Sequence, residues 1–397
     1  MPLRCAVGIT VIGPGDLVTS FDAIVVGLGG MGSAAAHQLA RRGLRVLGLE
    51  QFTPAHDRGS AHGQTRICRK AYFEHPDYVP LLHRAYALWD ELSAAAGRRL
   101  FERVGLLMAG GPESELIAGV RRAATEHRLS IEDVPHGELA SRFPGFAFPT
   151  NFDVLYEPGA GLLYVEDCVR AQIEQAEKRG AELRFREAVR WWWADEGQVV
   201  VETDRGRYVA SRLVLTAGSW AGRLLSELDL PLRVVRKAQL WFATDSSHYA
   251  FGRCPTYAFE IDTGFFYGFP ALEPGVLKIA EHTGGRTVAD PLRLDRELHD
   301  LDMAPVRAFI GRHMPGVRPQ VVRHSVCMYT MTPDQHFVID RHPQHAHVVF
   351  ACGFSGHGFK FAPVVGEALA DLAMTGRTEL PIGFLGVNRP ALKAGDT

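Results

Sequence analysis

Three glycines and one glutamate carry the first chemistry legible in the chain. In the segment 21–50, FDAIVVGLGGMGSAAAHQLARRGLRVLGLE, Gly27, Gly29 and Gly32 stand in the spacing Gly-x-Gly-x-x-Gly, and Glu50 closes the next apolar run. That spacing suits a pyrophosphate. The first glycine permits a tight turn, the second lets the backbone approach the phosphates, and the third lets helix and strand pack closely. A helix N-terminus there offers unpaired N–H groups and a partial positive charge. Glu50 is placed to accept hydrogen bonds from both ribose hydroxyls, and an acid at that point argues against a 2′-phosphate, hence against NADP. The fingerprint alone leaves FAD and NAD open. Two further stretches favour FAD: Thr216-Ala217-Gly218-Ser219-Trp220, a small-residue turn closing an apolar strand, and Val348–Cys352 followed by GFSGHGFKF, which contains Gly356 and Gly358. The second brings another positive helix end towards an anion, and several distant segments gripping one extended dinucleotide is an FAD arrangement. His342, His345 and His347 lie in a polar turn with Pro343 and without a nearby carboxylate or cysteine cluster. No metal is expected there.

These residues need particular elements to hold them. Ala23–Val26 reads as a strand buried on both faces, the alanines at 34–36 as a helix that packs closely on a sheet, and Leu44–Leu49 as a second strand after the Gly43 stop. This is a complete βαβ unit, so the fold class is α/β with a doubly wound, Rossmann-like N-terminal region. Amphipathic helices are expected over 78–96 and 166–179, strands over 184–193 and 198–216, and helix again over 293–311. Between 231 and 281 the runs QLWFAT, AFEI, GFFYGF and VLKIAE alternate with Gly and Pro turns and read as a mixed sheet. Residues 347–373 read strand, glycine-rich turn, helix. The sheet-forming pieces of the nucleotide part thus sit at both ends and in the middle. Two interleaved domains follow: 21–105, 155–230 and 325–397 for FAD, and 106–154 with 231–324 for a substrate, after an N-terminal extension at 1–20. In Trp191-Trp192-Trp193 consecutive strand residues face opposite ways, so packing or a domain contact is expected.

Composition excludes whole classes of function. Lys+Arg 43 against Asp+Glu 45 leaves a formal net charge of −2, so no basic field draws the chain to nucleic acid or an anionic membrane. Charged residues at 22% and aromatics at 10% describe a compact globular chain. Six cysteines, Cys5, Cys68, Cys168, Cys254, Cys327 and Cys352, are scattered without a CxxC pair, which reads as free thiols in a reducing cytoplasm. Residues 23–40 lack formal charge, but their glycines, His37 and Gln38 make a poor membrane span. The first 20 residues lack the apolar core and cleavage site of a signal peptide.

Longer motifs complete the reading. GSAHGQTRICRKAY (59–72), YEPGAG (156–161), FFYGFP (265–270), LKIAEHT (277–283), VCMYTMTPDQHFVID (326–340), GFSGHGFKFAP (353–363) and NRPAL (388–392), with the fingerprint and Glu50, span residues 21–393. On these the chain resembles the flavin-dependent amine oxidases of the D-amino-acid-oxidase superfamily, most closely the branch of monomeric sarcosine oxidase and N-methyltryptophan oxidase. The resemblance implies FAD carried covalently by Cys327, through a thioether to the flavin's 8-methyl group, while Cys68 stays unmodified. It implies that Arg66 and Lys360 hold a substrate carboxylate, a guanidinium fork beside a point charge. Arg69 is implied near the flavin, where positive charge supports an anionic reduced ring. Lys278 is implied in oxygen activation, since a fixed cation stabilises superoxide as it forms, and His282 in amine binding. On a strand, 278 and 282 point to one face, so both are expected to reach one pocket. Tyr267 and Tyr329 match aromatic walls near the substrate, with core packing as their other role.

The implied enzyme is a monomer acting on a small amino acid and O2, with no nucleic-acid or membrane partner. A neutral secondary amine, typically an N-methyl amino acid, gives a hydride equivalent to the flavin; water hydrolyses the imine to aldehyde and amine, and O2 leaves as hydrogen peroxide. No strong general base is evident, and none is required if the amine binds deprotonated. Glu281, the polar segment 239–260 and Met331 depart from the sarcosine oxidase pattern, which bears on substrate size more than on reaction type. The alternatives are a cyclic imino acid such as proline or pipecolate, N-methyltryptophan, a dehydrogenase with another acceptor, and a flavin-binding scaffold without turnover. Retention of Lys278 argues against the dehydrogenase, and the set Arg66, Lys278, His282 and Lys360 against the scaffold.

Overall fold

The computed structural model describes residues 20–195 and 197–393. Apart from Ser20, the N-terminal extension expected at 1–20 lies outside the described residues, as does Cys5. Ala23–Val26 and Val46–Glu50 are parallel strands buried along their whole length, joined by the helix Gly30–Arg41. They stand at the centre of a six-stranded sheet in the order 182–185, 46–50, 23–26, 213–215, 348–352, 338–341, with all pairs parallel except the last. Strands left and right of Ala23–Val26 are reached by crossovers in opposite directions, so its C-terminal end is the switch point where a doubly wound sheet opens a crevice. The helix Ala362–Thr375 packs on Gly30–Arg41 at Gly366, where an added Cβ would lie 2.6 Å from the Ala34 carbonyl carbon. Small residues on both helices allow that approach.

The second large sheet has nine strands and is mixed. Its order is 286–287, 233–244, 276–281, 264–268, 256–261, 106–110, 153–157, 132–133, with Val317–Met331 pairing along Arg233–Thr244. Only 256–261 beside 106–110 is a parallel neighbour. The fold is therefore a doubly wound α/β unit interleaved with a mixed-sheet unit.

The expected helix over 78–96 is present as Tyr78–Ala96 and ends at Gly97 in the left-handed region, φ 65°. That over 166–179 is Val165–Glu177. The helix expected from 293 starts only at Asp300, because His299 and Asp302 form a capping box there and Pro291–Arg293 makes a separate 3-10 turn. Periodicity does not single out the helices Glu115–His127 and His136–Arg142; Leu116, Ile117 and Val120 of the first join the apolar cluster of Leu106 and Met108, and Leu139 of the second joins that of Leu107 and Ala109, on the sheet's other face. Trp192 is buried and its Nε1 donates to Leu224 O, while Trp191 is 59% exposed, as strand alternation requires. Among the described residues no helix is long and apolar enough to cross a membrane.

Candidate active site

A cavity of about 1460 Å³, part of it open to solvent, follows the C-terminal ends of the central strands. Gly27, Gly29, Glu50, Gly218, Gly356 and Gly358 all line it. The three fingerprint glycines divide their roles as the spacing predicts. Gly27 has φ 85° and leaves no room for a side chain, a Cβ meeting Thr216 O at 2.7 Å. At Gly32 a Cβ would stand 1.7 Å from Gly27 O, so the helix could not close on its strand. Beside Gly29 there is nothing within 4 Å, so that backbone faces open space. One carboxylate oxygen of Glu50 accepts from Leu28 N at 2.8 Å and the other from Phe52 N at 3.0 Å. The acid is thereby fixed at the rim next to the glycine loop. Gly356 (φ 83°) passes the Tyr329 ring so closely that a Cβ would lie 2.3 Å from it. An extended dinucleotide fits this cradle: backbone N–H groups at a helix start, a glycine open to the cavity, and a fixed acid at the far strand end.

A smaller cavity, about 660 Å³ with part open to solvent, meets the first at Arg66, Tyr329, Gly356 and Phe359. It gathers Arg66, Arg69, Lys360, His282, Tyr267 and Tyr329. Glu74 and His357, which sequence reasoning missed, belong to it as well. Arg69 donates from Nη2 to both carboxylate oxygens of Glu74 at 2.7 Å and from Nη1 to Ala71 O. Burial raises the Glu74 carboxyl, but Arg69, His357 and Lys360 together outweigh it and hold the group at about 2. Lys360 donates to His357 O at 2.6 Å and to the Tyr72 hydroxyl at 3.4 Å. Burial, then Arg69, brings its ammonium down to about 7. His282 is pushed down to about 3, by burial first and by Lys237 second, so its imidazole is neutral at any ordinary pH. Its Nδ1 is 3.4 Å from the Tyr329 hydroxyl. Burial raises both tyrosines and keeps their hydroxyls protonated.

Arg66 stands apart from this group. It lines both cavities, and its guanidinium donates to Thr65 O and Ser60 O at 2.8 Å and to Gln239 Oε1 at 3.4 Å. Lys278 lines neither cavity. The strand Val276–Glu281 ends before His282, and the Lys278 Nζ is held by Gly63 O and by Thr65 O at 3.0 Å, behind Arg66. His282 thus lines the smaller cavity and Lys278 neither of the two, where alternation predicts both in one pocket. Trp241 covers the outer side of Lys278, its ring 5.4 Å from Nζ, with Arg323 on the ring at 4.7 Å. Register puts Lys237 opposite Cys327, Gln239 opposite Ser325 and Trp241 opposite Arg323. Cys327 is thus on the strand face that carries Arg66's partner Gln239, and two residues before Tyr329. It is free and buried. Cys68 is fully buried, its thiol pushed up to about 12 by burial.

The histidine turn holds a different contact: His342 Nε2 lies 2.9 Å from Glu227 Oε1, and the rings of His342 and His345 stack at 4.8 Å. Among the described residues no group of three or more His, Cys, Asp or Glu could hold a metal ion.

Comparison with known proteins agrees with this geometry. The monomeric sarcosine oxidase of Bacillus sp. (strain B-0618) is 42% identical over 381 residues, covering 94% of this chain and 97% of the relative. The N-methyl-L-tryptophan oxidase of Salmonella arizonae is 37% identical over 356 residues, covering 89% and 95%. Among solved structures, NikD, described as an unusual amino acid oxidase essential for nikkomycin biosynthesis, superposes with a TM-score of 0.82 at 27% identity, covering 92% of this chain and 97% of that one. The family described as DAO, FAD dependent oxidoreductase, matches residues 22–372. With its nucleotide cleft opening onto a buried cationic cavity, the chain belongs to that family of FAD-dependent oxidoreductases.

Proposed function

We propose that this chain is an FAD-dependent oxidase of secondary amines that demethylates an N-methyl amino acid, with O2 as the acceptor and hydrogen peroxide as product. The observation that carries the reading is the meeting of a dinucleotide cleft with a smaller cavity lined by two buried cations, Arg69 and Lys360. A carboxylate is the group such a cavity is built to neutralise. Bound FAD supplies the two-electron acceptor that takes a hydride equivalent from the carbon next to nitrogen. Everything else is the work of the chain's own side chains. Arg69 and Lys360 are neighbours in the smaller cavity alone, whereas Arg66 sits where the cavities join. In our reading the two arginines therefore exchange the roles that the sequence resemblance implies: Arg69 and Lys360 clamp the carboxylate, and Arg66 stands at the flavin. His282, neutral, accepts or donates one hydrogen bond at the amine without competing for its proton. Tyr267 and Tyr329 wall the cavity and exclude water.

Behind Arg66, burial and then Arg66 itself lower the Lys278 pKa well below the ordinary lysine range. A negative charge forming next to it is what would hold it as ammonium, which suits stabilisation of dioxygen as it is reduced. Cys327 is our candidate for the covalent link to FAD. The segments 21–105, 155–230 and 325–397 form the FAD-binding part in this reading, and 106–154 with 231–324 the substrate part. The enzyme acts as a monomer in the cytoplasm.

The test is an absorbance spectrum before and after acid precipitation, then anaerobic mixing with N-methyl amino acids. Yellow colour is expected in the pellet, and in the supernatant after Cys327→Ala. Bleaching by the amine should recover in air with peroxide formed. A flavin that no N-alkyl amino acid bleaches would overturn the reading, and one that stays bleached in air would remove O2 as acceptor.

A further inference from the structure

The floor of the smaller cavity is a face of the nine-stranded sheet. Register sets Met108 beside Ala258, and Ala258 beside Tyr267, so the three side chains form a row across adjacent strands. All three line the cavity. The row is large, small, large: one methyl group between a thioether and a phenol ring. Leu116 lines the cavity beside it and is 1% exposed. One further wall is the stacked pair Phe73 and Phe265, with centroids 5.6 Å apart. The charges of the cavity belong to Arg66, Arg69, Glu74 and Lys360, and the Arg69 guanidinium lies 4.7 Å from the Phe73 ring. A ligand held there by its carboxylate alone leaves the apolar walls without partner atoms, and both hydrophobic and dispersion gains are forfeited.

We propose that the notch at Ala258, between Met108 and Tyr267, receives the side chain of the substrate. The chain then prefers an N-alkyl amino acid with a branched aliphatic side chain to a glycine-derived one, and Ala258 sets that preference. The proposal rests on the amine-oxidase reading above. A side chain filling the notch replaces water against methionine, leucine and aromatic surface, and a pocket of this kind discriminates by about tenfold or more per well-placed methylene. A larger residue at 258 fills the same space with the protein's own atoms.

The experiment titrates the holoenzyme with two carboxylates that cannot be oxidised, following the visible absorption of the bound flavin. Acetate carries only the anion; 4-methylpentanoate has the skeleton of leucine without its nitrogen. The branched acid is expected to bind roughly tenfold or more tightly than acetate, and kcat/KM should favour N-methylleucine over sarcosine in the same direction. Ala258→Leu should bring the carboxylate ratio to about one, with flavin content and melting temperature checked to show that it folds. Equal affinity for the two acids in the unmodified chain overturns the proposal, as does a ratio unchanged in a folded Ala258→Leu. Because the first comparison needs no variant, a substitution that fails to fold leaves the proposal decided. If neither acid perturbs the flavin and neither amine reduces it, the amine-oxidase reading itself fails.

Discussion

Lys360 shows how one buried cation ties affinity to pH. Its ammonium, brought down to about 7 by burial and by Arg69, is the form that attracts a carboxylate. A carboxylate ligand should therefore bind best below about pH 7 and progressively less well as pH rises through that value, because the group that loses its proton is the binding cation. The neutral His282, held down at about 3, contributes no inflection near the usual histidine range. Titration of acetate affinity against pH checks both points. Lys360→Met should weaken acetate binding by roughly tenfold or more, the loss of a charge-assisted hydrogen bond of about 1.5–3 kcal/mol, and should flatten the dependence. An unchanged profile in the variant would show that another group controls binding. The pair Arg66 and Arg69 marks the limit of what residue types disclose. Both were legible as site arginines, but the strand Thr65–Cys68 ends between them, and which one faces the Lys360 side is decided by where that strand stops.

At the scale of elements, the glycine loop separates folding from binding. Gly29 has φ −69° and open space beside it, so Gly29→Ala should leave the melting temperature of the flavin-free protein unchanged and weaken FAD binding, the added methyl occupying the pyrophosphate's approach. Gly32→Ala drives a methyl into Gly27 O and should lower that melting temperature as well, at a cost of roughly 1–3 kcal/mol or more. Melting curves and FAD titration of the two variants distinguish them, and equal destabilisation by both would refute the division of roles. This loop, its βαβ unit and the helix Tyr78–Ala96 were legible because the signals are local: periodicity, a stop glycine, a fixed spacing. The environment of Lys278 was not, since its neighbours Gly63, Thr65 and Trp241 come from segments far away in the chain. Ala258 had no signature at all. A small residue becomes informative only once Met108 and Tyr267 stand beside it.

For the molecule as a whole, Val317–Met331 is the element that joins the two working parts. It pairs along Arg233–Thr244 in the mixed sheet, and its last turns of chain, Met328–Thr330, line the nucleotide cleft. Unfolding of either part should therefore carry the other with it. Thermal transitions followed by flavin absorbance and by far-ultraviolet circular dichroism are expected to coincide, and two separated transitions would contradict the coupling. The strand order has one further consequence, for the timing of synthesis. The crevice at the switch point is bounded on one side by Ala23–Val26 and on the other, through Leu213–Leu215, by Val348–Cys352. A ribosome that has made only the first three hundred residues holds a chain with the fingerprint complete and the cleft unclosed. Its apolar strand edge at Leu213–Leu215 stands bare until residues 348–352 emerge, so the nascent chain has to be kept from pairing with others before its own last strand arrives.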